Sequence, residues 1–298
     1  MNQLGIFRHI LNHPMNRGRG PGAVRDYLGW QLRSRLVRGA IPVLFVNESV
    51  LMVRRGMHGA TQNIYCGLAD FNEMGFLLHL LRPGDLFADI GANVGSYTVL
   101  ASAAVGAHSV AFEPNPETYP SLLANIQANG IADRVEARPA GAGASAGVLR
   151  FEANGTQTRV AAKNGNEASD APIFESPVTT LDESLGGATP TLIKIDVEGF
   201  ESDVLAGAGR TLGRPGLLAL IIENNEDCVR FGFAPDQAHR TLLGHGFAAA
   251  EYSPRDRRLK LQSGRGVVSQ NSIYVRDLAA VETRLTTASR FRVKGQLL

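Results

Sequence analysis

Cysteine is nearly absent from this 298-residue chain, which holds only Cys66 and Cys228. Two cysteines exclude a disulfide framework and a cysteine-built zinc site. They fit a reducing compartment, so the expected location is cytoplasmic. Long apolar runs are missing as well. None approaches the ~20 residues of a membrane span, and no apolar core follows the basic residues Arg8, Arg17 and Arg19 where a secretory signal would carry one. Neither a transmembrane segment nor a signal peptide is expected, while peripheral contact with a membrane stays compatible with the composition. Charged residues make up 19% and aromatic residues 7%, against 44% hydrophobic. That balance excludes a disordered chain and describes a globular one, long enough for one α/β domain with an extension.

The two signs of charge are unevenly spread. Residues 1–60 carry nine arginines against Asp26 and Glu48, a net +7. Residues 251–298 carry ten basic and four acidic side chains, a net +6, and residues 61–250 carry eleven basic and twenty-two acidic, a net −11. Basic ends around an acidic middle suit either an anionic partner or a solvated arginine-rich surface. No aromatic residues are interleaved with the arginines in a nucleic-acid pattern, which makes nucleic acid the less favoured partner.

Periodicity orders the rest. Residues 1–40 read as arginine-rich amphipathic helix and loop, with a break at Gly18, Gly20, Pro21 and Gly22. Pro42–Val53 reads as a β hairpin turning at Asn47-Glu48, and Asn72–Leu81 as a helix stopped by Pro83-Gly84. From Leu86 onward, strands and helices alternate. Strands are predicted at Leu86–Ile90, Ser109–Phe112, Val135–Arg138, Leu192–Ile195 and Leu217–Ile222, with helical stripes from Tyr97, Tyr119 and Val204. This alternation predicts a parallel sheet with helices on both faces. Ala140–Gly147 reads as a loop. Val148–Val178 reads as a β insertion with hairpin turns at Asn154-Gly155 and Asn164-Gly165. Thr180 and Glu183 form a capping box. Gly246–Tyr252 and Asn271–Arg276 suit an antiparallel pair at a sheet edge, joined by a basic linker. The predicted organisation is a basic extension over 1–63 (helix plus β hairpin), an α/β domain over 64–276 with its insertion at 148–178, and a tail over 277–298.

Three stretches carry chemistry. In Asp89-Ile-Gly-Ala-Asn-Val-Gly95 a strand ends, a glycine turn follows and a helix begins. Glycines let the backbone approach a ligand, and the helix start offers unpaired N–H groups. This is the nucleotide-binding position of a doubly wound sheet. Asn93 and Ser96 break the G-x-G-x-x-G spacing and no Gly-Lys-Ser/Thr follows, so an NAD-dependent oxidoreductase is the weaker reading and a P-loop fails. Glu113 ends the second strand, where an acidic residue accepts hydrogen bonds from ribose hydroxyls. Lys194, Asp196 and Glu198 alternate along the strand that begins at Leu192, so they share one side at the ligand crevice where the extended geometry persists. The two carboxylates can position a cation, bind a metal or take a proton. Lys194 reads as the partner of Asp196. No histidine stands at metal-ligand spacing from the carboxylates and no metal is expected, although assistance through Asp196 and Glu198 stays open. Glu223, His58, His79 and His245 are lesser candidates.

Gly84-Asp85, Asp89–Gly95, Phe112-Glu-Pro-Asn-Pro116, Val178–Asp182, Ile193-Lys-Ile-Asp-Val-Glu-Gly-Phe-Glu201 and the late Asn271 together resemble the FkbM family of S-adenosylmethionine-dependent methyltransferases, over roughly residues 64–276. The resemblance implies a doubly wound, Rossmann-like sheet of seven strands, the last one antiparallel. It implies S-adenosyl-L-methionine as cofactor, with Asp89, Gly91, Asn93 and Gly95 around its amino-acid end, Glu113 at the ribose and Ala140 near the adenine. Asp196 and Glu198 would face the sulfonium and the acceptor, as the catalytic pair. The implied activity is methylation of a hydroxyl on a sugar, glycolipid or secondary metabolite, so the partner is a small-molecule or glycan acceptor. A nucleic-acid methyltransferase using the basic termini is an alternative. Gly91→Val is expected to abolish cofactor binding and spare the fold, because a β-branched side chain would obstruct the turn and the cofactor.

Overall fold

In the computed structural model, residues 3–161, 171–223, 226–262 and 271–298 are described. The expected turn at Asn164-Gly165 lies outside them. Two helices open the chain, α1 (Gln3–Asn12) and α2 (Gly20–Leu36). Gly20-Pro21-Gly22 does not break the helix as expected; it forms the first turn of α2. Proline is tolerated there because its missing N–H would have no partner in a first turn. The hairpin forms as predicted, β1 (Ile41–Leu44) against β2 (Val50–Val53). Two helices follow, α3 (His58–Cys66), which periodicity did not reveal, and α4 (Phe71–Leu80).

The alternating segment then begins. β3 (Leu86–Ile90) leads into α5 (Ser96–Val99), β4 (His108–Phe112) into α6 (Tyr119–Ala128), and β5 (Val135–Arg138) follows. The insertion is a separate four-stranded sheet of β6 (Gly141–Ala142), β7 (Gly147–Asn154), β8 (Gln157–Val160) and β9 (Ile173–Thr179), in the order β6-β9-β7-β8. The stretch read as a loop therefore contributes β6, which pairs with Val178–Thr179. α7 (Leu181–Ser184) starts at Thr180, whose hydroxyl accepts from the Glu183 N–H at 3.1 Å. After it come β10 (Leu192–Ile195), α8 (Glu201–Ala206), α9 (Gly209–Leu212) and β11 (Ala219–Glu223). The chain ends with α10 (Gln237–Gly244), β12 (Ala248–Ser253), β13 (Arg258–Leu261), β14 (Asn271–Val275), α11 (Leu278–Thr287) and a short pair, β15 (Arg292–Val293) with β16 (Gln296–Leu297).

Among the described residues the main sheet has eight strands in the order β13-β12-β14-β11-β10-β3-β4-β5. From β5 to β11 they run parallel, and β14 is antiparallel to both of its neighbours. The seven strands implied by the resemblance are present, and β13 adds an eighth at the edge. It was hidden in the basic linker because Arg258 and Lys260 alternate with Leu259 and Leu261. Charged side chains of this kind are what a solvent-facing edge strand tolerates. The central strands are apolar at nearly every position, and Ile193, Ile195 and Ala219–Ile222 have no solvent exposure. Covering on both faces explains the composition.

Candidate active site

β3 and β10 are adjacent, yet the chain leaves β3 toward β4 and leaves β10 toward β11, on opposite sides. A crevice opens at such a switch point, beyond the carboxyl ends of the strands. It holds a cavity of about 330 Å³, within the range of small-molecule sites.

The turn after β3 forms one wall. Gly91 N and Ala92 N donate to Phe112 O at 3.1 and 2.8 Å, tying the turn to β4. Gly91 has φ +77°, and a Cβ on it would stand 1.9 Å from the Asp196 carbonyl oxygen. The backbone of the neighbouring strand end demands this glycine. A valine would displace the junction of β3 and β10, so the expectation that it spares the fold is corrected. Asn93, at φ +53°, donates its backbone N–H to Glu113 Oε2 at 2.8 Å and its side-chain amide to Thr156 O at 2.7 Å. Glu113 is 3% exposed, and its other oxygen accepts from Asn115 N at 2.9 Å. Burial pushes the Glu113 carboxyl up to about 7, against the pull of those two N–H donors.

Three expected residues do not line the cavity. Gly95 begins α5, where a Cβ would meet Leu122 Cδ1 at 2.6 Å. Asp89 is buried; one oxygen accepts from Thr98 Oγ1 at 2.6 Å and the other has no hydrogen-bond partner among the described residues. Burial raises its pKa. Ala140 does not line the cavity, whereas its neighbours Gly141 and Ala142 do.

β10 and β11 bring the second group. The buried Lys194 donates from Nζ to Asp196 Oδ2 at 2.8 Å and lies 4.9 Å from the centroid of the Tyr97 ring. Burial alone would lower the Lys194 pKa, but the charges of Asp196, Asp89 and Asp70 outweigh it and raise it. Carboxylate oxygens of Asp196, Glu198 and Glu223 lie within 4.8 Å of one another. Glu201 Oε1 accepts from Val197 N and Gly199 N, both at 3.1 Å, which fixes the turn carrying Glu198. Burial, then the charges of Asp196, Glu198 and Glu201, pushes Glu223 up to about 9. Burial and the charges of Asp196 and Asp227 raise Glu198 too. Such a cluster can share a proton or hold a divalent cation.

The remaining wall was not legible in the sequence. Thr156–Val160, from the β7–β8 hairpin, face the turn after β3, and Asn115 Nδ2 donates to Thr158 Oγ1 at 2.9 Å. The Asn154-Gly155 signal announces this hairpin and says nothing of where it packs. Gly59 and Gln62 of α3 line the cavity, as do Asp70 and Tyr97, which are joined by a 3.0 Å hydrogen bond. Ser96 Oγ is buried in the wall with no hydrogen-bond partner among the described residues. His79 and His245 do not line the cavity. His79 shares a 2.6 Å hydrogen bond with the Tyr252 hydroxyl, and burial drops its pKa to about 4. His58 opens α3, and its side chain lies outside the described part.

Residues 89–248 match the family described as the methyltransferase FkbM domain. The chain is 31% identical to the hexuronic acid methyltransferase AglP of Haloferax volcanii, over 46% of this chain and 55% of AglP, so it spans little more than half of that relative. It is 29% identical to the 31-O-demethyl-FK506 methyltransferase FkbM of Streptomyces tacrolimicus, over 62% of this chain and 82% of the relative. Among solved structures, a precorrin-6y C5,15-methyltransferase of Geobacter metallireducens overlays at a TM-score of 0.37 with 15% identity, over 67% and 83% of the two chains. So loose a likeness carries no argument.

Proposed function

This chain belongs to the FkbM methyltransferase family, and we propose on that premise that it moves a methyl group from S-adenosylmethionine to a hydroxyl oxygen. The observation that supports this most is one cavity lined both by Glu113, set to accept hydrogen bonds, and by the crowded carboxylates Asp196, Glu198 and Glu223. The residues present fit the cofactor. The hydroxyl of Ser96 has no protein partner among the described residues, and the lone pairs that Asn93 and Asn115 leave on Glu113 suit a diol. The acid-rich wall favours a cation.

When bound, S-adenosylmethionine supplies a methyl group on a positively charged sulfur. The chain's own residues supply alignment and proton removal. In this reading Glu113 holds the ribose. Gly91, Asn93 and Ser96 border the amino-acid end, while Asp89 and Gly95 act from behind by fixing the turn. Gly141 and Ala142 take the adenine role first assigned to Ala140. Asp196 orients the acceptor hydroxyl, and its proton passes to the carboxylate cluster as the new C–O bond forms. The hairpin around Thr156 keeps water from the reacting centre. The relatives' names, one a hexuronic acid and the other an O-demethyl compound, favour a sugar, glycolipid or secondary-metabolite hydroxyl. Among the described residues no helix is long and apolar enough to cross a membrane; a cytoplasmic setting is part of the proposal.

Calorimetry tests it. S-adenosylmethionine should bind in the micromolar range, roughly −8 kcal/mol, and NADH should not bind. Tight NADH binding without S-adenosylmethionine binding would overturn the reading in favour of an oxidoreductase.

A further inference from the structure

α2 is apolar on two opposite faces. Ala23, Tyr27 and Trp30 are buried inward, with the Tyr27 ring 5.1 Å from Phe7 and 5.4 Å from Tyr65. On the outward face Leu28, Leu32 and Leu36 are 54%, 61% and 73% exposed. Their i, i+4, i+8 spacing makes them one stripe. Single exposed leucines are ordinary on a soluble protein; a contiguous stripe on one helix calls for a partner. Arg25, Arg33 and Arg35 flank it and are exposed. A groove between α2 and β1 extends the same surface, with Arg25, Arg33, Arg292, Lys294 and the exposed Leu44 in its lining. The acidic residue in that lining, Asp26, is already held by Arg19 at 2.9 Å and Lys294 at 2.7 Å.

We propose that this outward face of α2, with the groove beside it, docks the protein on an anionic lipid bilayer. Leucines enter the level where acyl chains begin and arginines meet the lipid phosphates, as in basic amphipathic helices that lie in the interface. Charge selects this occupant. A second copy of the chain would bring arginine against arginine. A nucleic acid would satisfy the arginines and leave three leucines facing water. The net +7 of residues 1–60 gives the whole layer the same sign. α3 packs against α2 through Tyr65 and sends Gly59 and Gln62 to the cavity wall, so a single helix separates the docked face from the candidate active site.

The test is flotation of the full chain with phosphatidylcholine vesicles, with and without phosphatidylglycerol. Binding is expected only to the phosphatidylglycerol vesicles, at least about tenfold over the neutral ones, and weakened by salt. The triple variant Leu28→Ser/Leu32→Ser/Leu36→Ser and the triple variant Arg25→Gln/Arg33→Gln/Arg35→Gln should each lose at least about tenfold in binding, with circular dichroism unchanged. Leu36→Ser alone, at the most exposed position of the stripe, should show a smaller loss and keeps the test open if a triple variant misfolds. Five results would overturn the proposal: no flotation, equal binding to both vesicles, wild-type binding by the leucine variants, a dimer that the leucine variant dissolves, or RNA binding lost only in the arginine variant.

Discussion

Two groups of carboxylates share the cavity, and the protein treats them differently. Glu113 stands alone at the end of β4. Each of its oxygens accepts a backbone N–H, one from the turn after β3 and one from Asn115. The other group crowds Asp196, Glu198 and Glu223 within 4.8 Å at the ends of β10 and β11, beside one lysine. A carboxylate solvated by fixed amides has its orientation set before a ligand arrives, and its role is to accept hydrogen bonds. A crowded group cannot ionise fully, keeps a shared proton, and can therefore exchange one. The same residue type is set in two different environments, and the role proposed for each group, binding for Glu113 and proton removal for the cluster, rests on that difference.

Asp196→Asn tests the contrast most severely. The single-turnover rate should fall by roughly 10²–10⁴, with cofactor affinity within a few-fold, and Glu198→Gln reports on its neighbour in the same assay. A loss of affinity whose rate recovers at saturating cofactor would move Asp196 into the binding class with Glu113. The wild-type rate should survive a chelator. The Lys194 ammonium, 2.8 Å from Asp196, already sets one positive charge beside the cluster. A rate that vanishes with chelator and returns with magnesium would make the cluster a metal site.

Glu113→Ala is the complementary test, with a smaller effect. Hydrogen bonds to a charged group are worth about 1.5–3 kcal/mol, so cofactor affinity should weaken by roughly 10–100-fold. The rate at saturation should stay within a few-fold. Calorimetry and single-turnover kinetics on one preparation separate the two quantities. A large loss of rate at full saturation would erase the distinction between the groups.

The Glu113 side was the more legible of the two in the sequence. Glu113 and the Gly91–Gly95 turn follow short, mostly apolar strands, and such turns lie at the carboxyl ends of a parallel sheet by rule. The cluster was legible in part. Asp196 and Glu198 alternate along one segment, but Glu223 joins them only because β11 lies beside β10, a pairing between distant residues. The hairpin wall and α3 were hidden for a like reason. Thr156–Val160 carry no chemistry until they pack on Asn93 and Asn115. α3 holds Gly59, Gln62 and Asn63, too few apolar residues for a helical stripe, because part of it faces a cavity rather than the core. Residues 1–40 read as amphipathic helix and loop in the sequence, whereas α2 is apolar on two opposite faces, a pattern that a single-stripe reading does not resolve.

The mildest test reads the shared proton as stability. A carboxyl whose pKa is raised by folding binds its proton more tightly in the folded chain than in the unfolded one. Its contribution to stability is complete below the ordinary glutamate value and is lost as pH rises through the folded value. Glu113 and Glu201, both pushed up to about 7 by burial, lose theirs by neutral pH. Glu223, pushed up to about 9 by burial and its acidic neighbours, begins its loss at the same point and continues it to about pH 9. The thermal midpoint of the ligand-free protein should therefore fall between pH 5 and 9. Glu223→Gln, which keeps the shape of the protonated acid and cannot ionise, should flatten that fall across the whole range, including the upper half, where Glu113 and Glu201 no longer contribute. One proton changes stability by at most about 1.4 kcal/mol per pH unit, or about 2 °C for a chain of this size, so the variant is expected to gain several degrees by pH 9. At pH 5 the two proteins should melt together. Glu113→Gln should flatten only the lower half, because burial pushes its carboxyl up to about 7 and no further. If Glu113→Gln flattened the upper half as well, the carboxylates would titrate as one group, and the separation between Glu113 and the cluster would fail.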